Sequence, residues 1–270
     1  MKKKRKSRPV RILGLIRTSG IVTKTTKYGE TSLIVTVLTK DFGRISAIAN
    51  SVRTKKSQML AGLQLFAYSE IVMYKAKSKK GLYNLNEMSV QESFSSLRYD
   101  LDKMAYASYF AEAATVATPE DAPDENILRL LLNTLYALDK EMCPYEKIKT
   151  VFEWRLAAEA GYAPLISGCE SCGAGDAAYL SLATGTALCE ACGSGKAGAA
   201  KLSPAMIKLI EYITTTDSRQ IFSFDAGEKT VNYLSRVSEG YLKSQLDRDF
   251  PTLNYLNKVK ALEQSNEEQN

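Results

Sequence analysis

The stretch TSGIVTKTTKYGETSLIVTVLTKDFGRISAIA, residues 18–49, decides how the first third of the chain folds. Within it SLIVTVL (32–38) is β-branched and continuous, as in a strand covered on both faces. DFG at 41–43 is a tight turn. A kinase would also need a glycine-rich loop and a histidine-containing catalytic loop, and this 270-residue chain has no histidine. After the turn, Arg44–Ala49 sets Ile45, Ala47 and Ala49 against Arg44, Ser46 and Ile48. Val10–Val22 upstream, with Gln64–Tyr74 and Leu82–Met88 downstream, read as three further strands. Five short strands of unequal length suit a small closed barrel. The OB-fold is the common five-stranded case, and an SH3-like barrel satisfies the same count.

From Leu97 the period becomes helical. Leu97, Leu101, Met104, Ala105 and Ser108 make one stripe, and Ile127, Leu130, Leu131, Leu135 and Leu138 a second, beyond the break at 119–124. Ile148, Val151, Phe152, Leu156 and Ala160 make a third, stopped by Gly161 and Pro164. Ser203 caps a fourth helix with Pro204 in its first turn, and Val231–Leu242 forms a long fifth. The fold class expected is α+β and multidomain. A basic disordered arm (1–9) precedes an OB-fold barrel (10–90), then a helical domain in two parts (91–164 and 201–258), an inserted cysteine module (165–200) and a polar tail (259–270).

The net charge of +6 conceals an asymmetry. Residues 1–80 carry 19 Lys and Arg against Glu30, Asp41 and Glu70, a net +16, whereas residues 81–270 are net −10. Such a split points to a polyanion at one end, although lysine also serves solubility and protects sheet edges. Lys24 and Lys27 read as flanking a turn closed by Gly29, Arg53, Lys55 and Lys56 fill a connector, and Lys75, Lys77, Lys79 and Lys80 close another segment. Tyr28, Phe42, Phe66, Tyr68, Tyr74 and Tyr83 lie among these cations, as in single-strand binding, although for any one ring core packing is the stronger reading. The DNA-binding set expected is Lys24, Lys27, Arg44, Arg53, Lys55, Lys56, Lys75, Lys77, Lys79 and Lys80.

Four of the five cysteines form CESC (169–172) and CEAC (189–192), each followed by glycine. This C-x2-C-x16-C-x2-C spacing matches a four-cysteine zinc site. Two intervening residues let a tight knuckle aim both thiolates at one ion, and strands around Gly185 can bring the knuckles together. Cys169, Cys172, Cys189 and Cys192 would complete a tetrahedron with no open position, so the Zn²⁺ would be structural. Iron–sulfur ligation uses the same residues, and spacing does not separate the two. Thioredoxin-like redox pairs are disfavoured, since neither pair is expected to open a helix after a buried strand. Cys143 has no partner in sequence.

Without histidine there is no Ser-His-Asp triad, Cys-His pair or histidine general base. GSGK (193–196) and GEKT (227–230) do not satisfy the phosphate-loop pattern, and no run is long enough to cross a membrane. MKKKRKSR lacks the apolar stretch of a secretory signal, so a cytoplasmic binding protein is expected, and no enzyme.

Residues 18–49, LAGLQLFAYSEIVMY (60–74), GLYNLNEMSVQESFSSLRYDLDKMAYASYFAE (81–112) and FEWRLAAEAGYAPLISGCESCG (152–173) together resemble the RecO family of bacterial recombination mediators. The resemblance implies an N-terminal OB-fold, a helical domain and an inserted zinc module. It further implies binding of single- and double-stranded DNA and annealing of complementary strands. Implied partners are RecR, the acidic C-terminal tail of single-strand-binding protein and, indirectly, RecA. Arg98, Lys103, Arg129 and Arg155 are the candidates for the tail. The rival reading is a zinc-stabilised OB-fold factor for RNA or the ribosome, since charge does not tell DNA from RNA.

Overall fold

The computed structural model describes residues 14–53, 59–75 and 82–267. The chain divides into two compact units, Met1–Ser93 and Phe94–Asn270.

The first unit is a closed barrel of β1 (Ile16–Tyr28), β2 (Ser32–Thr39), β3 (Gly43–Ala49), β4 (Tyr68–Lys75) and β5 (Leu82–Glu92), in the order β1-β2-β3-β5-β4. β3 and β5 pair in parallel through Ser46–Ile48 and Leu82–Asn84, and every other pair is antiparallel. That circuit is the OB-fold. β1 closes it by pairing twice, Ile16–Ile21 with β4 and Gly20–Tyr28 with β2. Where the two pairings overlap, a Cβ on Gly20 would stand 2.7 Å from the Leu38 carbonyl oxygen, so only glycine fits. The β1–β2 register shifts between Val22 and Lys24. There Val22 N–H donates to the Ala67 carbonyl (3.1 Å) and Phe66 N–H to the Val22 carbonyl (2.9 Å).

Val35, Val37, Ile45, Ala47 and Ala49 fill the barrel together with Val22, Ile71, Met73 and Leu85. The alternation expected for β3 is therefore correct, and Ile48 is buried as well, on the opposite face. DFG is the β2–β3 turn, with Gly43 at φ +61°. Thr39 Oγ1 accepts from Phe42 N–H (3.1 Å) and donates to the Gly43 carbonyl (2.9 Å), and Thr18 Oγ1 donates to Asp41 (2.7 Å). Two expectations need correction. Gln64–Ala67 is a turn rather than the start of β4, with Phe66 at φ +68°. Lys24 and Lys27 lie within β1, and the turn begins after them at Gly29.

The second unit begins with a 3-10 turn (Ser95–Arg98), followed by α1 (Leu101–Ala117), α2 (Glu125–Asp139) and α3 (Tyr145–Glu159). A cysteine lobe intervenes before α5 (Pro204–Thr215), α6 (Glu228–Gln245) and α7 (Pro251–Glu267). Asp100 caps α1, Asp124 caps α2 and Ser203 caps α5, each accepting backbone N–H groups that would otherwise be orphaned. The stripe expected for α2 is buried. The one expected for α1 holds only in part: Leu97 and Ala105 are buried and Met104 and Ser108 half-buried, but Leu101 is 59% exposed, and Tyr106, Ala107, Tyr109, Phe110 and Ala111 are buried around the helix. α1 touches α2, α3 and α7, so its alanines admit neighbours from several directions and no single stripe exists. α7 has no counterpart among the expected helices, although Leu253, Leu256 and Val259 bury one face.

A buried polar network joins α3 to α6. Lys149 and Glu153 are both buried on α3, with Lys149 Nζ 2.9 Å from a Glu153 oxygen and 3.1 Å from Glu239 on α6. Tyr109 and Ser238 each donate to Glu153 at 2.6 Å. Burial pushes the Glu153 carboxyl up, against the pull of Lys149 and these donors. Nearby, Glu146 accepts from Tyr106 and Ser235, both at 2.6 Å, and pairs with Lys260 of α7. Burial opposes its ionisation, but Lys260 and the donors outweigh burial and hold the carboxyl at about 2.

Truncating one member leaves a buried charge unpaired, so Lys149→Met should cost about 3–5 kcal/mol in denaturant unfolding. Adding Glu153→Leu should recover much of that loss, and a double variant no better than the single would contradict the account. Glu146 should add stability above pH 4.5 that is lost as pH falls toward about 2, because its folded pKa is the lower one. The Tm gap between the parent and Glu146→Gln should therefore narrow on acidification.

Candidate metal centre and nucleic-acid interface

The cysteine lobe is built on a hairpin of β6 (Tyr179–Ser181) and β7 (Ala187–Leu188), extended by β8 (Ala199–Lys201) on the other side of β6. The hairpin around Gly185 is the one expected, and β8 is an addition to it. Pairing of Tyr179 with Leu188 and Leu180 with Ala187 carries the second knuckle back to the first. Both knuckles close in the same way: Gly173 N–H donates to the Cys169 carbonyl and Gly193 N–H to the Cys189 carbonyl, each at 2.9 Å. The two glycines serve different needs. Gly173 sits at φ +76°, while a Cβ on Gly193 would stand 2.6 Å from the Tyr179 ring.

The ligand atoms of Cys169, Cys172, Cys189 and Cys192 lie within 4.8 Å of one another, with Cys172 and Cys189 sulfurs 3.7 Å apart. A tetrahedron with metal–sulfur bonds of about 2.3 Å has edges of about 3.8 Å, so the four can hold one metal ion. Their electrostatics agree. N–H donation from the backbone of Cys189 brings the Cys169 thiol down to about 6, while hydrogen bonds shared among the sulfurs push Cys192 up to about 12. Four thiolates so close together need a cation to ionise together.

One expectation is corrected here. Cys189 does open a helix after a buried strand, capping the single turn α4 (Glu190–Gly193) directly after β7. The redox reading therefore loses the argument raised against it, and what separates the two readings is that both pairs meet at one point. Cys143 stands outside the cluster, and burial raises its thiol.

α6 holds the lobe. Tyr241 Oη donates to the Tyr162 carbonyl (2.8 Å) and leaves no room for a Cβ on Gly185. Gln245 donates to the Leu182 (2.8 Å) and Ala183 (3.2 Å) carbonyls, and Tyr233 to that of Lys201 (2.8 Å). None of these contacts has a signal in sequence.

On the barrel, the cross-strand pairs sort the basic residues. Thr25 pairs with the core residue Val35, so Lys24 opposite Thr36 and Tyr28 opposite Ser32 belong to the outer face. Arg44 and Ser46 share that face, across from Leu38 and Thr36. Lys27 lies at the far end of β1, opposite Leu33. Arg53 reaches the same end: its guanidinium donates to the Glu30 carbonyl and its N–H to the Thr31 carbonyl, both at 2.9 Å. Lys75 ends β4 opposite Tyr83, with its ammonium 5.2 Å from that ring's centroid. Lys55, Lys56, Lys77, Lys79 and Lys80 lie outside the described residues, as does the 1–9 arm.

The four partner candidates separate. Lys103 is buried in an ion pair with Glu141, which takes it from the surface. Arg155 is bound to Glu159 (2.7 Å) and donates to the carbonyls of Ile213, Thr214 and Thr216 at the end of α5. Arg129, paired with Glu125 at 3.4 Å, shares with Arg155 a cavity of about 360 Å³ that Leu130 and Ile221 also line. Arg98 is half-buried in the 3-10 turn.

The chain thus carries an OB barrel with cations on its outer face and rim, and a helical unit whose lobe gathers four cysteines that can hold a metal ion. Residues 13–94 match the family described as Recombination protein O N terminal, and residues 98–254 match Recombination protein O C terminal. The DNA repair protein RecO of Acetivibrio thermocellus is 35% identical over 246 residues, 90% of this chain and 97% of that protein. The DNA repair protein RecO of Alkaliphilus metalliredigens is 32% identical over 248 residues, 91% and 100% of the two chains. The chain belongs to the RecO family of DNA repair proteins. Among its described residues no helix is long and apolar enough to cross a membrane.

Because the lobe's own core is small, ion removal should loosen it. A strong chelator, or Cys189→Ser, should speed proteolysis between residues 165 and 200 while leaving cleavage of α1–α3 unchanged. Equal protection with and without the ion would contradict this.

Proposed function

We propose that this protein is a recombination mediator that binds single- and double-stranded DNA through the barrel and anneals complementary strands. With RecR, it would help load RecA onto strands coated by single-strand-binding protein. The observation that carries the reading is the net +16 of residues 1–80, part of which the OB topology spreads over one outer face and rim. Lys24, Lys27, Arg44, Arg53 and Lys75, together with Lys55, Lys56, Lys77, Lys79 and Lys80, would contact phosphates. In annealing, such cations screen the repulsion between two strands while base pairing supplies the specificity. The protein acts by binding, with no bond made or broken.

The ion in the lobe is Zn²⁺ held by Cys169, Cys172, Cys189 and Cys192. Four protein thiolates leave no position for substrate, so its work is structural. The cavity beside Arg129 and Arg155 suits the acidic tail of single-strand-binding protein, with apolar Leu130 and Ile221 under a cationic edge. Arg98 remains a candidate at a second place, and Lys103 is left out because it is buried in its pair with Glu141. The proposed location is the cytoplasm.

Charge reversal of Lys24, Lys27 and Lys75 together should abolish annealing of complementary DNA oligonucleotides, whereas single alanines should weaken it only modestly. For every phosphate no longer neutralised, the slope of log affinity against log salt should flatten by about 0.7 on single strands and about 0.9 on duplex. Annealing that survives the triple reversal at moderate salt would overturn the barrel as the site.

A further inference from the structure

The aromatic rings of the barrel have different fates. Tyr83 is buried beneath Lys75 and packs on Phe42, with centroids 6.3 Å apart. Phe66 is buried at the left-handed turn before β4, and Tyr68 and Tyr74 are half-buried. Among the described residues of this unit, Tyr28 is the one exposed ring, at 49%.

Its surroundings suit a planar ligand bearing negative charge. Tyr28 ends β1 on the face that carries Lys24, with Lys27 exposed beside it. The turn that follows, with Gly29 at φ +59°, is pinned by the two hydrogen bonds from Arg53 and by Ser51 N–H donating to Ser32 Oγ (3.3 Å). A ring on a tethered turn loses little further freedom when something stacks on it, which favours binding. Buried rings cannot offer a face to a base, and lysines alone attract single and double strands alike.

We infer that Tyr28 is a stacking platform for an unpaired base, flanked by Lys24 and Lys27 on the neighbouring phosphates, and that it adds to the barrel's DNA binding a preference for single strands. Bases inside a duplex already have both faces covered, so the ring gains nothing from them. The inference rests on the DNA-binding reading above and adds to it the residue that discriminates strandedness.

The test uses the full-length protein with oligothymidylate and a mixed-sequence duplex of equal length. Trp154 is the only tryptophan and is buried, so Tyr28→Trp adds a separate, exposed fluorophore. Its emission should be quenched by the single strand and not by the duplex. In anisotropy titrations Tyr28→Ala should bind the single strand about tenfold more weakly, with duplex affinity and salt slope unchanged, and Tyr28→Phe should behave as the parent. Unquenched Tyr28→Trp emission, or equal weakening for both DNAs in Tyr28→Ala, would overturn the stacking role while the parent's binding kept the broader reading intact. A parent protein that binds neither DNA at low salt would overturn both.

Discussion

β1 must serve two partners along a single strand. Its first residues pair with β4 and its last with β2, and only this double duty closes the sheet. A right-handed twist alone would leave β1 and β4 as open edges, with unpaired N–H and C=O groups. Closure demands a strand long enough to reach both neighbours, a residue without a side chain where they overlap, and a register shift that lets the strand bend. Gly20, the shift after Val22 and the backbone pairs to Phe66 and Ala67 meet these needs. The proposed DNA-binding face depends on them, because a one-residue slip in β1 would exchange Lys24 with a core position.

The helical unit is organised around a different constraint, the burial of opposite charges. Lys149 and Glu153 are tolerable inside α3 because Glu239, Ser235, Ser238 and Tyr109 supply the remaining partners. These groups come from helices on both sides of the cysteine lobe in sequence, so the network unites the two halves that the lobe interrupts. The lobe in turn rests on α6 through Tyr233, Tyr241 and Gln245. α6 therefore carries polar contacts to both the core and the cysteine lobe.

What is legible in sequence is local. The cysteine spacing, the DFG turn, the β3 alternation and the Ser203 cap are each set by a few neighbouring residues, and each appears in the structure as read. The failures share one origin. Leu101 reads as core and is exposed, because which faces of α1 are buried depends on α2, α3 and α7. Lys103 reads as a surface cation, yet Glu141 claims it from the turn that follows α2. Lys24 and Lys27 read as turn residues because Gly29 follows them, although β1 pairs with β2 right up to Tyr28.

Composition and spacing were enough to define a four-cysteine cluster that can hold a metal ion in a chain without histidine, a basic N-terminal end and a β-rich segment followed by helices. Short-range chemistry explains this: ligand geometry, caps and the periods of strand and helix all act within a few residues. Tertiary structure decided the closure of the barrel, the face on which Lys24 and Tyr28 stand, the docking of α7 and the partners of the buried charges. Those outcomes depend on groups brought together from distant positions, as Lys149 and Ser235 are, and no local pattern encodes which distant group will arrive.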